Sequence, residues 1–222
     1  MAFHKMWRGH NREHVLATDQ QKNEYLRALA KHKAKAQEHV KLFAYCLMEN
    51  HTHETGGFAD AAKGDEAVHD KAISLLGNWM RAAHSAFGAW YNAVNKREGK
   101  VAYDRPKTKP ITDDEQLLTT MAYGDANPVR AGMVKHPSKY KFSSYQFYAF
   151  GKKDEFTEML DVPDAYLALG KNNTLRREKY RRHVDAYLRD AGLLDDEPLE
   201  DPPFWPDSTE ECVDCNGLWD SS

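Results

Sequence analysis

Two short stretches of this chain carry residues whose types and spacing could act together in chemistry. The first is the pair His51 and His53, which closes the run Leu42-Phe-Ala-Tyr-Cys-Leu-Met-Glu-Asn-His51-Thr-His53. In a strand, side chains alternate across the sheet, so His51 and His53 would point to one face. Two imidazoles side by side on a rigid element can hold one divalent metal ion. The plainer reading is a pair of solvent-facing or hydrogen-bonded histidines. The second stretch is Met121-Ala-Tyr123-Gly-Asp-Ala-Asn127-Pro-Val-Arg130-Ala-Gly-Met-Val134. Tyr123 and Asn127 share a face if a helix reaches that far. A phenol, with an ordinary pKa of about 10, is a poor nucleophile at neutral pH. A metal beside it changes that by neutralising an anionic target and polarising the bond to be broken. Alone, Tyr123 would be an ordinary core or surface tyrosine, and Asn127 a turn residue or helix cap.

The elements that must position these residues are legible in outline. Residues 3–8 read as a strand, and residues 12–17 as a turn or short strand. Asp19 to about Gln37 is a polar helix with Tyr25, Leu26 and Leu29 as apolar contacts. Residues 40–48 and 51–57 form a hairpin turning at Glu49-Asn50, and Gly56-Gly57 and Gly64 bound a loop. A long amphipathic helix covers residues 67–95 through Ala72, Leu75, Leu76, Trp79, Met80, Ala83 and Phe87. Residues 99–103 read as a strand after the Gly99 turn, and Lys107 and Lys109 bracket a loop. Thr112 and Glu115 make a capping-box pattern that opens a helix over residues 112–123, which Gly124 and Pro128 tend to end. Later helices are expected at Pro163–Leu169 and Thr174–Arg189. This order predicts an α+β sandwich: a small antiparallel sheet with helices packed on one face.

Four collinear segments resemble one family. His51-Thr-His53 resembles the HUH motif (His, hydrophobic residue, His) of single-tyrosine transposases, and Ala44-Tyr-Cys-Leu-Met-Glu-Asn-His-Thr-His53 is similar to the family's Met-Pro-Asn-His-x-His strand pair. Tyr123 through Val134 resembles the helix with the nucleophilic tyrosine and its Asn-Pro-Val-Arg-Ala-Gly signature. His4-Lys-Met-Trp-Arg-Gly-His-Asn-Arg-Glu-His-Val15 resembles the opening strand and Arg-Gly turn. Phe87 through Gly99, followed by Arg105, resembles the helix, Arg-x-Gly turn and basic strand. The resemblance runs from about residue 3 to about residue 148 and is nearest to the REP-associated tyrosine transposases. Three positions depart from the pattern: Glu49 replaces a proline, Thr52 a hydrophobic residue, and Gly124 a helix-friendly one.

The resemblance implies a ferredoxin-like fold, the layout also used by RNA-recognition modules. It implies a metal-dependent endonuclease and strand transferase acting on single-stranded DNA with hairpins. Tyr123 would attack the 5′ phosphate, forming a covalent phosphotyrosine and freeing a 3′-OH. Asn127 matches the position of a third polar ligand beside His51 and His53. A carbonyl oxygen suits Mg²⁺ or Mn²⁺, and the imidazoles tilt the choice toward Mn²⁺. Arg8, Arg12, Arg97, Arg105, Lys107 and Arg130 match basic positions of the motifs and are candidate DNA contacts. Two other classes stay open: a domesticated hairpin binder that no longer cleaves, and a metal-dependent hydrolase that uses water.

Charge fits a phosphate-binding surface. Residues 1–151 hold 22 Lys and Arg against 16 Asp and Glu, a charge of +6, while residues 152–222 hold 9 against 18, a charge of −9. The organisation expected is a catalytic domain over 1–150, a basic helical extension over 151–190 and an acidic tail over 191–222. Arg176, Arg177, Lys179, Arg181 and Arg182 cluster on the last helix, either as a solvated face or as a clamp on the DNA backbone. The tail is either a solvated segment or a DNA mimic lying over the basic cleft. Cys212-Val-Asp-Cys215 lacks the two further ligands a zinc site would need. No run is long and apolar enough to span a membrane, and there is no signal-peptide pattern. The expectation is a cytoplasmic, nucleoid-associated monomer rather than a homodimer.

Overall fold

Alternation along the first strand sets the architecture. In Ala2–Arg8, Phe3, Lys5 and Trp7 are buried while His4, Met6 and Arg8 are only partly so, which places the two sets on opposite faces of the sheet. The computed structural model describes residues 1–36, 38–59, 66–103 and 106–194. Its elements are β1 (Ala2–Arg8), α1 (Asp19–Lys33), β2 (Val40–Leu47), β3 (His51–Phe58), α2 (Glu66–Asn95), β4 (Lys107–Ile111), α3 (Asp114–Arg130), α4 (Tyr145–Phe150), α5 (Asp164–Leu167) and α6 (Asn173–Asp190). The sheet order is β2-β3-β1-β4, with every neighbouring pair antiparallel. The βαββαβ order with this arrangement is the ferredoxin-like layout, as the sequence led one to expect.

Helices α1 and α2 pack on one face. Trp7, Tyr25, Leu29, Trp79 and Phe87 meet there in one buried cluster, and the Trp79 indole donates to the Leu29 carbonyl at 2.8 Å. The expectation of helices on one face describes this layer only. A second layer covers the opposite face: α3 packs on β2 and β3, and Leu117, Met121, Tyr145, Tyr148, Tyr180 and Val184 form a second core. The segment beyond residue 150 thus shares its core with the helix that carries Tyr123.

Three boundaries differ from the sequence reading. The strand expected at 99–103 is a single bridge between Gly9 and Ala102, and the fourth strand is Lys107–Ile111, which had read as a loop. Pro110 is tolerated in β4 because the strand lies at the sheet edge, where a missing N–H breaks no ladder. Gly56 and Gly57 close the expected strand 51–57 and lie inside β3, as expected. At Gly56 a side chain would sit 2.4 Å from the Lys41 carbonyl and 2.7 Å from the Phe3 ring, so only glycine fits. Helix α3 begins at Asp114 rather than at 112, with its cap one residue later than expected: Asp113 caps the Gln116 N–H at 2.7 Å, while the Gln116 side chain receives the Thr112 N–H.

A charged network lies buried under β3. Lys5 donates to Glu54 at 2.9 Å; Tyr25 and Thr52 donate to the other Glu54 oxygen at 2.6 and 2.7 Å. His84 contacts the Tyr25 hydroxyl at 3.2 Å. Burial works to raise the Glu54 pKa, but Lys5 and the two hydroxyls outweigh it and hold the carboxyl below its usual value. Thr52 stands between the histidines because it belongs to this network, where a hydrophobic residue would leave one donor missing. Removing one partner of a buried pair strands the other's charge. Glu54→Gln is expected to cost about 3–5 kcal/mol in urea unfolding, and the double change Lys5→Met with Glu54→Leu to recover most of it. A single-variant loss below about 1 kcal/mol would show that Lys5 reaches water instead.

The second core holds one acid. Asp125 is buried and accepts from the Tyr180 hydroxyl at 2.7 Å. Burial pushes its carboxyl up to about 7, against the pull of the Tyr180 and Ser143 hydrogen bonds. Between its unfolded pKa and about 7 the folded state therefore keeps a proton that the unfolded chain releases. Stability falls as pH rises through that window and levels off above it. Asp125→Asn should remove this slope. Measured by urea unfolding, wild type should lose on the order of 2 kcal/mol relative to the variant between pH 5 and pH 8; a constant difference would refute the assignment.

Candidate functional site

Strand pairing brings the candidate groups together. In the β1–β3 register Arg8 lies opposite His51 and Met6 opposite His53, so His51, His53 and the Arg8 side chain share the face that α3 covers. The expected same-face arrangement of the histidines is present: their rings lie 4.9 Å apart and nearly perpendicular. Tyr123, on α3, presents its ring edge-on to His53 at 5.4 Å and to His4 at 5.8 Å.

Each histidine is tied down through Nδ1. His51 Nδ1 lies 2.7 Å from the Asn50 side-chain oxygen, an acceptor, so that nitrogen carries the proton. His53 Nδ1 lies 3.0 Å from His4 Nε2, with the two rings stacked. When His53 donates in that bond, its Nε2 bears the lone pair, and this Nε2 is buried without a hydrogen-bond partner among the described residues. Burial and then the Arg8 guanidinium hold His51 down to about 4. Burial, then His51 and His4, hold His53 well below the usual histidine range, and burial lowers His4 as well. All three rings are thus neutral at neutral pH, the state in which imidazole binds a metal. An orphaned buried nitrogen and two neutral imidazoles leave His51 and His53 able to offer ring nitrogens to a divalent ion, while among the described residues no group of three or more His, Cys, Asp or Glu side chains could hold one.

Asn127 serves the helix first. Pro128 has no N–H for the Gly124 carbonyl; the Asn127 side-chain nitrogen donates to it at 3.4 Å and to the Tyr123 carbonyl at 2.7 Å. This is how α3 continues through Gly124 and Pro128 to Arg130, past the end expected from the sequence. Only the amide oxygen of Asn127 is then left for a metal. Packing does not require glycine at Gly124, where an added Cβ would meet nothing within 4 Å.

The candidate DNA contacts divide into two sets. Arg8 lies beside the histidines with a buried Nε that has no hydrogen-bond partner among the described residues. Arg130 is exposed, lies 5.8 Å over the Tyr123 ring and donates to the Tyr187 hydroxyl at 3.3 Å. Arg12 is exposed on the left-handed turn after β1 and contacts Asn50 through its carbonyl, and Lys107 is exposed on β4. The other set is occupied by the protein itself. Arg97 pairs with Glu13 at 3.3 Å. Arg176 bonds the Leu167 and Gly170 carbonyls, Arg177 packs on Gly151, and Arg181 bonds the Ala149 carbonyl. On α6, Arg182 pairs with Glu178; Lys179, exposed, falls with the first set. Arg105 and residues 195–222, which hold most of the expected acidic tail with Cys212 and Cys215, lie outside the described residues, while Leu193 and Leu194 at the start of that tail pack on the second core. Glu49 holds His14 in an exposed pair at 2.7 Å.

The sequence reading assigned no role to His4. Its signal was the alternation His4-x-Met6-x-Arg8, which shares a face with His53 only once the β1–β3 register is known.

No protein-family model matches this chain, and no curated protein matches it by sequence. Among solved structures it is similar to a REP-associated tyrosine transposase bound to a REP hairpin, with a TM-score of 0.51 and 20% identity over 69% of this chain and 82% of that one. At that identity the likeness is one of fold. Among the described residues no helix is long and apolar enough to cross a membrane.

If Asn127 bridges the proline break, its loss should be felt without metal. Asn127→Ala is expected to lower the unfolding free energy by about 1–2 kcal/mol in EDTA. Unchanged stability in EDTA would mean that the side chain does not hold the helix.

Proposed function

We propose that this protein binds hairpin-bearing DNA and cleaves and rejoins the single strand beside the hairpin through Tyr123. The observation that carries the reading is the Tyr123 ring set edge-on against His53 and His4, beside two neutral imidazoles whose Nδ1 atoms are already engaged. The fold likeness to a transposase bound to a hairpin supports the DNA substrate.

In this reading the Tyr123 oxygen bonds to the 5′ phosphorus, the P–O3′ bond breaks, and its electron pair leaves on the 3′ oxygen, which takes a proton. The phenol proton passes to solvent. Attack of a 3′-OH on the phosphotyrosine reverses the step, so rejoining needs no ATP. His51 and His53, with the amide oxygen of Asn127, would hold Mg²⁺ or Mn²⁺. When bound, the ion supplies charge neutralisation at the scissile phosphate and polarises its P–O bond. Arg8 adds a fixed cation beside His51, and Arg130 one beside the Tyr123 ring.

The second reading, a hairpin binder that does not cleave, rests on the departures from the motif at Glu49 and Gly124. The two separate on a denaturing gel. Wild type and Tyr123→Phe are incubated with labelled single-stranded hairpins from the source genome, with Mg²⁺, Mn²⁺ or EDTA. A metal-dependent labelled protein band, present in wild type and absent in Tyr123→Phe, is the expected result. Native-gel binding without an adduct under any metal would replace the transesterase with the binder. Cleavage without an adduct would make water the nucleophile.

A further inference from the structure

His4 comes to His53 from the neighbouring strand. It stands opposite Thr55 in the β1–β3 register, so it reaches His53 along the diagonal of the ladder. The two rings are parallel to within 4°, with centroids 5.2 Å apart, and His4 Nε2 lies 3.0 Å from His53 Nδ1. We propose that His4 is a positioning residue: it accepts the His53 Nδ1 proton and so holds His53 in the tautomer whose Nε2 lone pair is free for a ligand. The inference rests on the metal in the function proposed above and deepens that reading.

A count of donors and acceptors favours this arrangement. Arg8, opposite His51, already leaves a buried Nε–H without a hydrogen-bond partner among the described residues. A hydrogen on His53 Nε2 would add a second unpaired buried donor to the same face, and a lone pair there does not.

His51 reaches the same state by another route. Its Nδ1 proton goes to the Asn50 side chain at 2.7 Å, so its Nε2 also carries a lone pair. Asn50 is the adjacent residue, whereas His4 is 49 residues from His53. One ring is therefore set locally, and the other only when β1 and β3 pair. Among the described residues no third His, Cys, Asp or Glu joins them as a ligand, so a metal there depends on both rings offering the correct nitrogen.

The test uses the full chain and two readouts. In EDTA at neutral pH, side-chain nitrogen–proton correlation NMR distinguishes the tautomers. His53 should carry its proton on Nδ1 in wild type and lose that preference in His4→Phe, which keeps a flat ring without an acceptor. With Mn²⁺, followed by the electron paramagnetic resonance of the free ion, His4→Phe should raise the Kd about 10–100-fold. His4→Glu, whose carboxylate only accepts, should restore most of the lost affinity; a residue that merely fills space would not be rescued this way. His53 protonated on Nε2 in wild type would overturn the inference, as would a His4→Phe Kd equal to that of wild type with the fold intact by circular dichroism. A wild type that binds no Mn²⁺ while His53 keeps its Nδ1 proton would overturn the metal in the proposed function and leave the tautomer assignment standing.

Discussion

The site depends on the pairing of β1 with β3, and that pairing is locked from below by Lys5 and Glu54. The two residues face each other across the ladder and bond at 2.9 Å with both side chains buried. A one-residue slip would turn every side chain of β3 to the other face. It would carry Glu54 toward α3, expose Lys5 to an apolar layer without a counter-charge, and put His51 and His53 under α1 and α2. The cost of stranding a buried charge therefore enforces the register that sets His51 opposite Arg8. A hydrophobic pattern alone would enforce it less well, because β3 contributes His, Thr, Glu and Gly along its length and one large apolar side chain, Phe58, at its end. Polar specificity here substitutes for apolar bulk in the strand that carries the histidines.

The second constraint is the continuity of α3. Tyr123 is placed by a helix whose interior holds a glycine and a proline, two residues that weaken helices. Asn127 supplies a donor where Pro128 has none, and α6 clamps the outer face through Tyr180, Val184 and Leu188. The Tyr180 hydroxyl reaches through to Asp125, two residues past Tyr123. The segment after residue 150 therefore helps to set where the tyrosine stands, because α3 and α6 share one core.

The legible and illegible parts of this molecule divide along physical lines. Alternation in β1, the apolar run of β2 and the stripe along α2 each report a local period, and each element was found near its expected place. The shared face of His51 and His53 followed from alternation alone. What stayed hidden depends on pairing. Lys107-Thr-Lys-Pro-Ile111 has the composition of a loop and becomes a strand only because an edge tolerates Pro110 and exposed lysines. His4 gained a role only when the register placed it against His53. The arginines of α6 read as a cationic face because sequence cannot show that Leu167, Gly170 and Ala149 offer them carbonyls. Glu49 and Thr52 read as departures from a motif. Each has a local partner, His14 for one and Glu54 for the other.

One consequence concerns the proton shared by His4 and His53. The bond between them can hold its hydrogen on either ring, and the two choices are not equivalent. With the proton on His53 Nδ1, His53 Nε2 is a lone pair open to a ligand; with the proton on His4, that same buried Nε2 must carry a hydrogen with no acceptor. An unsatisfied buried donor costs about 1–3 kcal/mol, and an unsatisfied acceptor in the first arrangement costs a similar amount. Binding a cation removes the penalty in the first arrangement and leaves it in the second. A metal at His53 would thus select one tautomer of the pair, and Tyr123, whose ring stands perpendicular to both imidazoles with centroids 5.4 and 5.8 Å away, lies beside the place where that selection is made.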